Sequence, residues 1–131
     1  MTRFLLVAAG GALGSMARYG LGMAAMRLAP AAVWPWATLA VNVIGGLAMG
    51  LLAGWLAHRG GADQERLRLL LGVGLLGGFT TFSAFSLETV LMIERRQFAM
   101  AGGYVALSVV LSITALFIGL MVARRAFGAA L

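Results

Sequence analysis

The sequence predicts an all-α membrane protein with four transmembrane helices, and three observations carry that prediction. Apolar residues make up 62% of the 131-residue chain, and the mean hydropathy is +0.98. A water-soluble domain of this length cannot hide so much apolar surface. The apolar residues fall into four runs, at about 4–28, 36–57, 67–93 and 98–123, each reaching the ~20 residues that a helix needs to cross a bilayer. The connections are short and polar and leave no room for a second domain, so residues 1–131 read as a single transmembrane domain. Cysteine is absent, which excludes disulfides and thiolate metal sites. The net charge is +6 and every basic residue is arginine. The arginines sit at segment ends, a pattern that suits contact with anionic membrane lipid and not nucleic acid.

The first run resembles a signal peptide at its start. It continues past Arg18 without a clean cleavage site, so it reads as a retained helix. Gly10, Gly14 and Arg18 share one face of it. An arginine at the centre of a span costs roughly 3 kcal/mol to insert. Arg18 therefore either snorkels to an interface or attracts anions at a vestibule. Pro30 and Pro35 close the first helix and open the second, with Trp34 and Trp36 suited to the lipid–water interface.

In the second run Gly46, Gly50 and Gly54 lie four apart, a spacing that lets helices approach closely within a chain or across a dimer. Thr38 and Asn42, also four apart, share a face. Asparagine in a span is either an interhelical clamp or a pore donor. Residues 58–66 read as a polar loop.

The third run holds Gly77-Gly78-Phe79-Thr80-Thr81-Phe82-Ser83-Ala84-Phe85-Ser86-Leu87-Glu88, where two glycines precede hydroxyl and acid side chains set among phenylalanines. Glycine weakens a helix, and threonine can bond its own backbone. The block is expected to break the helix and to face something polar, because lipid cannot satisfy freed backbone groups. Phe82 and Phe85 sit three apart; their positive ring edges can hold an anion, although phenylalanine in a span more often faces lipid or core. Thr81, Ser83 and Ser86 add hydroxyls, and Glu88 is the only acid deep in an apolar run.

Residues 94–97 form the last turn. In the fourth run Tyr104, Ser108 and Ser112 recur every four residues as a hydroxyl stripe, although any one serine can satisfy itself on a carbonyl one turn back. An even number of spans places both termini on one side, together with Arg3, Arg59, Arg66, Arg68, Arg124 and Arg125; Arg27, Arg95 and Arg96 lie opposite. The bias favours termini inside but is weak enough to permit insertion in both orientations. The chain has no internal repeat of transporter type, so a symmetric pathway requires a second copy. The donors are amide, hydroxyl and ring edge, with basic charge outside and no ring of carboxylates. Such a track suits a small, strongly hydrated anion and not a cation.

Three blocks carry a resemblance to a known family: Gly10-Gly11-Ala12-Leu13-Gly14-Ser15-Met16-Ala17-Arg18-Tyr19, Thr38-Leu39-Ala40-Val41-Asn42-Val43-Ile44-Gly45-Gly46, and the third-run block above. They resemble the signature blocks of the CrcB/Fluc fluoride channels, and the resemblance spans all four helices. It implies a passive, fluoride-selective channel, not an enzyme, that exports fluoride from the cytoplasm across the cell (inner) membrane. It implies an antiparallel, dual-topology homodimer with two pores and a structural sodium ion at its centre, held by backbone carbonyls of Gly77 and Thr80. The implied pore residues are Phe82, Phe85, Asn42, Thr38, Thr81 and Ser83, with Tyr104, Ser108 and Ser112 as a polar track and Arg18 near a vestibule. The chain departs from the pattern at Ala84, where the family often carries threonine or serine.

Two other readings compete. A small four-helix proton-coupled multidrug exporter needs a carboxylate in its first helix, where this chain has Arg18. A non-transporting assembly subunit would use the polar stripes only as interhelical clamps. Enzyme chemistry finds no support, since the single histidine, His58, lies in a loop beside Arg59.

Overall fold

The computed structural model describes residues 1–128. Its elements in order are α1 (Thr2–Leu28), α2 (Trp36–Leu56), α3 (Ala62–Leu67), a π-helical segment (Arg68–Leu76), α4 (Gly77–Phe79), α5 (Phe82–Glu94) and α6 (Phe98–Phe127). Four helices are long and apolar enough to cross a membrane when Ala62–Glu94 is taken as one. The protein is a multi-pass membrane protein. Large apolar side chains on the outer faces, such as Met16, Val110 and Phe117, are exposed on the chain, as expected where lipid tails are the solvent.

Helical structure outruns the apolar runs at two ends. Gly61, at φ 92, turns the chain into α3, whose first turn carries Asp63 and Glu65; acids are favoured there by the free amides. Much of the expected polar loop is therefore helix. Likewise α6 extends through Arg124 and Arg125 in its last turn, where free carbonyls favour cations. The tight turn before α6 puts Arg96 at φ 59.

α2 packs along α6, and α1 packs along the π-helical segment and α4. The glycine faces make both contacts. A Cβ on Gly50 would run into the Leu116 carbonyl, and one on Gly119 into the Leu47 carbonyl. Gly10 and Gly14 meet the carbonyls of Leu70 and Leu75 in the same way. These small-residue stripes thus bring backbones together inside one chain. The π-helical turns place Gly72 and Gly74 on the buried side, with Gly74 against Gly10.

The glycine pair does not open the helix as the sequence suggested. Gly77 has helical dihedrals, φ −62 and ψ −39. Gly78 lets α1 come close: a Cβ there would lie 2.6 Å from the Gly11 carbonyl oxygen. The extended residues are the next polar pair, Thr80 (φ −77, ψ 158) and Thr81 (φ −151, ψ 115), between α4 and α5. The buried cluster of Leu39, Phe85, Met92, Ala101 and Tyr104 ties α5 to α2 and α6.

Candidate functional site

The two extended threonines are held by local and distant partners. Thr80 keeps its amide and its hydroxyl on the Leu76 carbonyl, at 3.0 and 2.9 Å. Thr81 caps α5: its hydroxyl accepts the Ala84 amide at 3.2 Å. Its backbone is taken by Asn42 from α2. The Thr81 amide donates to Asn42 Oδ1 at 2.9 Å, and Asn42 Nδ2 donates to the Thr81 carbonyl at 3.0 Å. Both ends of the carboxamide are spent on one residue's backbone.

One turn earlier in α2, Thr38 donates to Glu88 Oε1 at 2.6 Å, and from α6 Tyr104 donates to Glu88 Oε2 at 2.7 Å. The carboxylate thereby joins three helices. Aromatic rings continue from there. Trp34 meets Tyr104 edge to face at 5.6 Å, Tyr104 contacts Phe85 at 5.2 Å, and Phe85 contacts Phe82 at 5.5 Å between centroids.

Beside this column lies an open cleft of about 400 Å³. Asn42, Thr80, Thr81, Phe82, Phe85, Ser108 and Ser112 line it, with Met49, Ile113 and Leu116 on its apolar side. Phe85 is buried at 9% exposure, whereas Phe82 stands out of the chain at 78%. Ser108 is 6% exposed. Among the described residues, the hydroxyls of Ser108 and Ser112 are buried without a hydrogen-bond partner. Neither bonds the carbonyl one turn back, although Thr80, Ser86 and Thr89 all do. A buried hydroxyl left unpaired costs about 1–3 kcal/mol, so two of them on one stripe need an explanation.

The sequence-derived candidates separate into three groups. Seven line the cleft. Three reach it only through neighbours: Tyr104 packs on Phe85, Thr38 meets Tyr104 at Glu88, and Ser83 Oγ lies 3.4 Å from Thr81 Oγ1. Arg18, half-buried on α1, and Gly77, exposed, do not line it. Glu88 was legible only as an isolated acid; its partners lie in two other helices. Trp34 carries a further buried unpartnered donor, its indole N–H.

Chemically, the cleft offers neutral donors and ring edges, with no acid or arginine on its wall. Such a surface can replace part of an anion's water shell without trapping it behind a fixed positive charge. The family described as CrcB-like protein, Camphor Resistance (CrcB), matches residues 5–120, which take in nearly all of the four spans. The chain belongs to the CrcB family. A relative in Caulobacter sp. (strain K31), named fluoride-specific ion channel FluC, is 64% identical over 97% of this chain and 98% of its own length. Proteins of the same name in Phenylobacterium zucineum (strain HLK1) and Caulobacter vibrioides (strain NA1000 / CB15N) are 62% and 59% identical, over 97% of this chain and 99% of theirs. The CrcB relatives are thus named as ion channels, and the stretch matched by the family takes in the part of the chain that holds the cleft residues.

Proposed function

We propose that the protein is a passive fluoride channel that releases fluoride from the cytoplasm across the cell inner membrane. The observation that carries this reading is the pair of buried, unpartnered hydroxyls of Ser108 and Ser112 on the wall of a cleft faced by phenylalanine rings. Fluoride is small and holds its water tightly, so a route must supply several strong neutral donors in series. The hydroxyls of Ser108 and Ser112 and the ring edges of Phe82 and Phe85 supply them. The names of the relatives identify the anion.

The working unit is an antiparallel homodimer. The cleft is open, and Phe82 projects from the chain; a second copy closes the wall that one chain lacks. Twofold symmetry then gives two equivalent routes. The weak arginine asymmetry between the two ends is compatible with insertion in both orientations.

A structural sodium ion at the dimer centre fits the donor set. In a continuous helix the Thr81 amide would bond the Gly77 carbonyl, and the Ala84 amide the Thr80 carbonyl. Here the first goes to Asn42 and the second to the Thr81 hydroxyl. The Gly77 and Thr80 carbonyls are left without their helical donors, and hard carbonyl oxygens are what a sodium ion takes at interrupted membrane helices. Two such oxygens per chain become four in the dimer.

The deciding experiment is anion efflux from liposomes that hold the purified protein and either potassium fluoride or potassium chloride. Valinomycin is added to release potassium, and an electrode follows each anion. Rapid fluoride release with little chloride release is expected. Folded protein that passes no fluoride would remove this reading.

A further inference from the structure

We infer that Asn42 serves the fluoride route as a positioning residue, by holding the backbone of Thr81 out of the helix. The inference rests on the channel reading above. Asn42 has one acceptor oxygen and two N–H donors. The oxygen is engaged by the Thr81 amide and one donor by the Thr81 carbonyl, at 2.9 and 3.0 Å. This pairing copies the way a neighbouring strand binds one residue of an extended chain, with N–H and C=O both satisfied. Thr81 has the dihedrals of such a strand, φ −151 and ψ 115.

The consequences follow by counting donors. An extended residue inside a membrane bundle needs partners for both backbone groups, since lipid provides none. The Thr81 amide goes to a side chain 39 residues away and not to the preceding turn, and the same side chain also bonds the Thr81 carbonyl, the N-cap carbonyl of α5. Once its amide is turned to Asn42, it cannot close a turn onto Gly77. The released hydroxyl of Thr81 then caps α5 through Ala84. The same arrangement sets where α5 begins, and hence the direction in which Phe82 and Phe85 leave the backbone. Asn42 thus fixes the ring edges and the freed carbonyls from one point, while its own remaining donor is a single N–H.

A residue that positions and a residue that binds the ion make different predictions. Two measurements separate them: amide hydrogen exchange at residue 81, and fluoride efflux beside chloride efflux. In the native protein the Thr81 amide is expected to be protected even though its backbone is extended beside an open cleft. Unprotected exchange there would overturn the proposal before any substitution is made. In Asn42→Ala the Thr81 amide should exchange about tenfold faster, with amides in the middle of α6 unchanged. Fluoride efflux should fall about tenfold while the fluoride-to-chloride ratio stays within about twofold, since the donors that contact the ion remain. Asn42→Asp keeps an acceptor for the Thr81 amide and should keep most of its protection; it serves if the alanine variant does not assemble. An unchanged exchange rate in Asn42→Ala, or a collapse of selectivity with residue 81 still protected, would show that Asn42 acts as an ion ligand. Failure of the channel reading looks different: the native protein would then pass no fluoride, whatever its exchange pattern.

Discussion

Replacing Ser108 with alanine should stabilise the protein and slow it at once. Ser108 is 6% exposed and its hydroxyl has no hydrogen-bond partner among the described residues. A buried polar group in that state costs about 1–3 kcal/mol. Alanine removes one oxygen and leaves a gap far smaller than a methyl group, so the resting protein should gain about 1 kcal/mol. The passing ion loses a donor. A hydrogen bond to a charged partner contributes about 1.5–3 kcal/mol, and each 1.4 kcal/mol is a factor of about ten. Fluoride efflux should therefore fall roughly tenfold to hundredfold. Stability is measured by reversible unfolding in mild detergent, with and without fluoride, and flux by liposome efflux. Fluoride should stabilise the native protein more than the variant, because it binds the folded state through the hydroxyl. If Ser108→Ala instead lost a kilocalorie or more of stability and conducted normally, the hydroxyl would be an interhelical clamp and the reasoning would fail.

Three further outcomes are expected. Gly50→Val should cost about 3 kcal/mol or more and lower the yield of folded protein, because its Cβ would run into the Leu116 backbone carbonyl and force α2 from α6; wild-type yield and melting would contradict this packing. Phe82→Ile and Phe85→Ile should each cut fluoride efflux. Only Phe85→Ile should also lower unfolding stability of the separated chain, by about 1–2 kcal/mol, since Phe85 packs on Tyr104 while Phe82 is exposed. Gly77→Val should weaken dimerisation without harming the fold of the chain. A Cβ at Gly77 meets nothing closer than the Gly72 carbonyl at 3.6 Å, which leaves only the partner side to object. Size-exclusion chromatography of that variant should show monomer, and an unshifted dimer would place Gly77 away from the interface.

The chain's own sequence determined the membrane class, the four spans and most of the polar inventory. The physics is one-dimensional there. A span needs about 20 apolar residues in a row, and a polar group within it is conspicuous because lipid does not solvate it. The spacing of Tyr104, Ser108 and Ser112 was equally plain, since residues four apart share a helix face. The identity of the extended residues was not legible. Local propensity pointed to Gly77 and Gly78, yet both are helical, and the missing side chain at Gly78 serves the approach of α1. Thr80 and Thr81 are extended because Asn42, distant in the chain, takes the Thr81 backbone. Glu88 likewise shows in the sequence only as an isolated acid; Thr38 and Tyr104 reach it from separate helices. The π-helical turns of Arg68–Leu76 leave no periodic signature, because nine residues are too few for a shifted register to show. Hydrophobic pattern fixes which segments enter the membrane. Which backbone groups are then released from helical pairing depends on partners that only the folded bundle brings within hydrogen-bond distance.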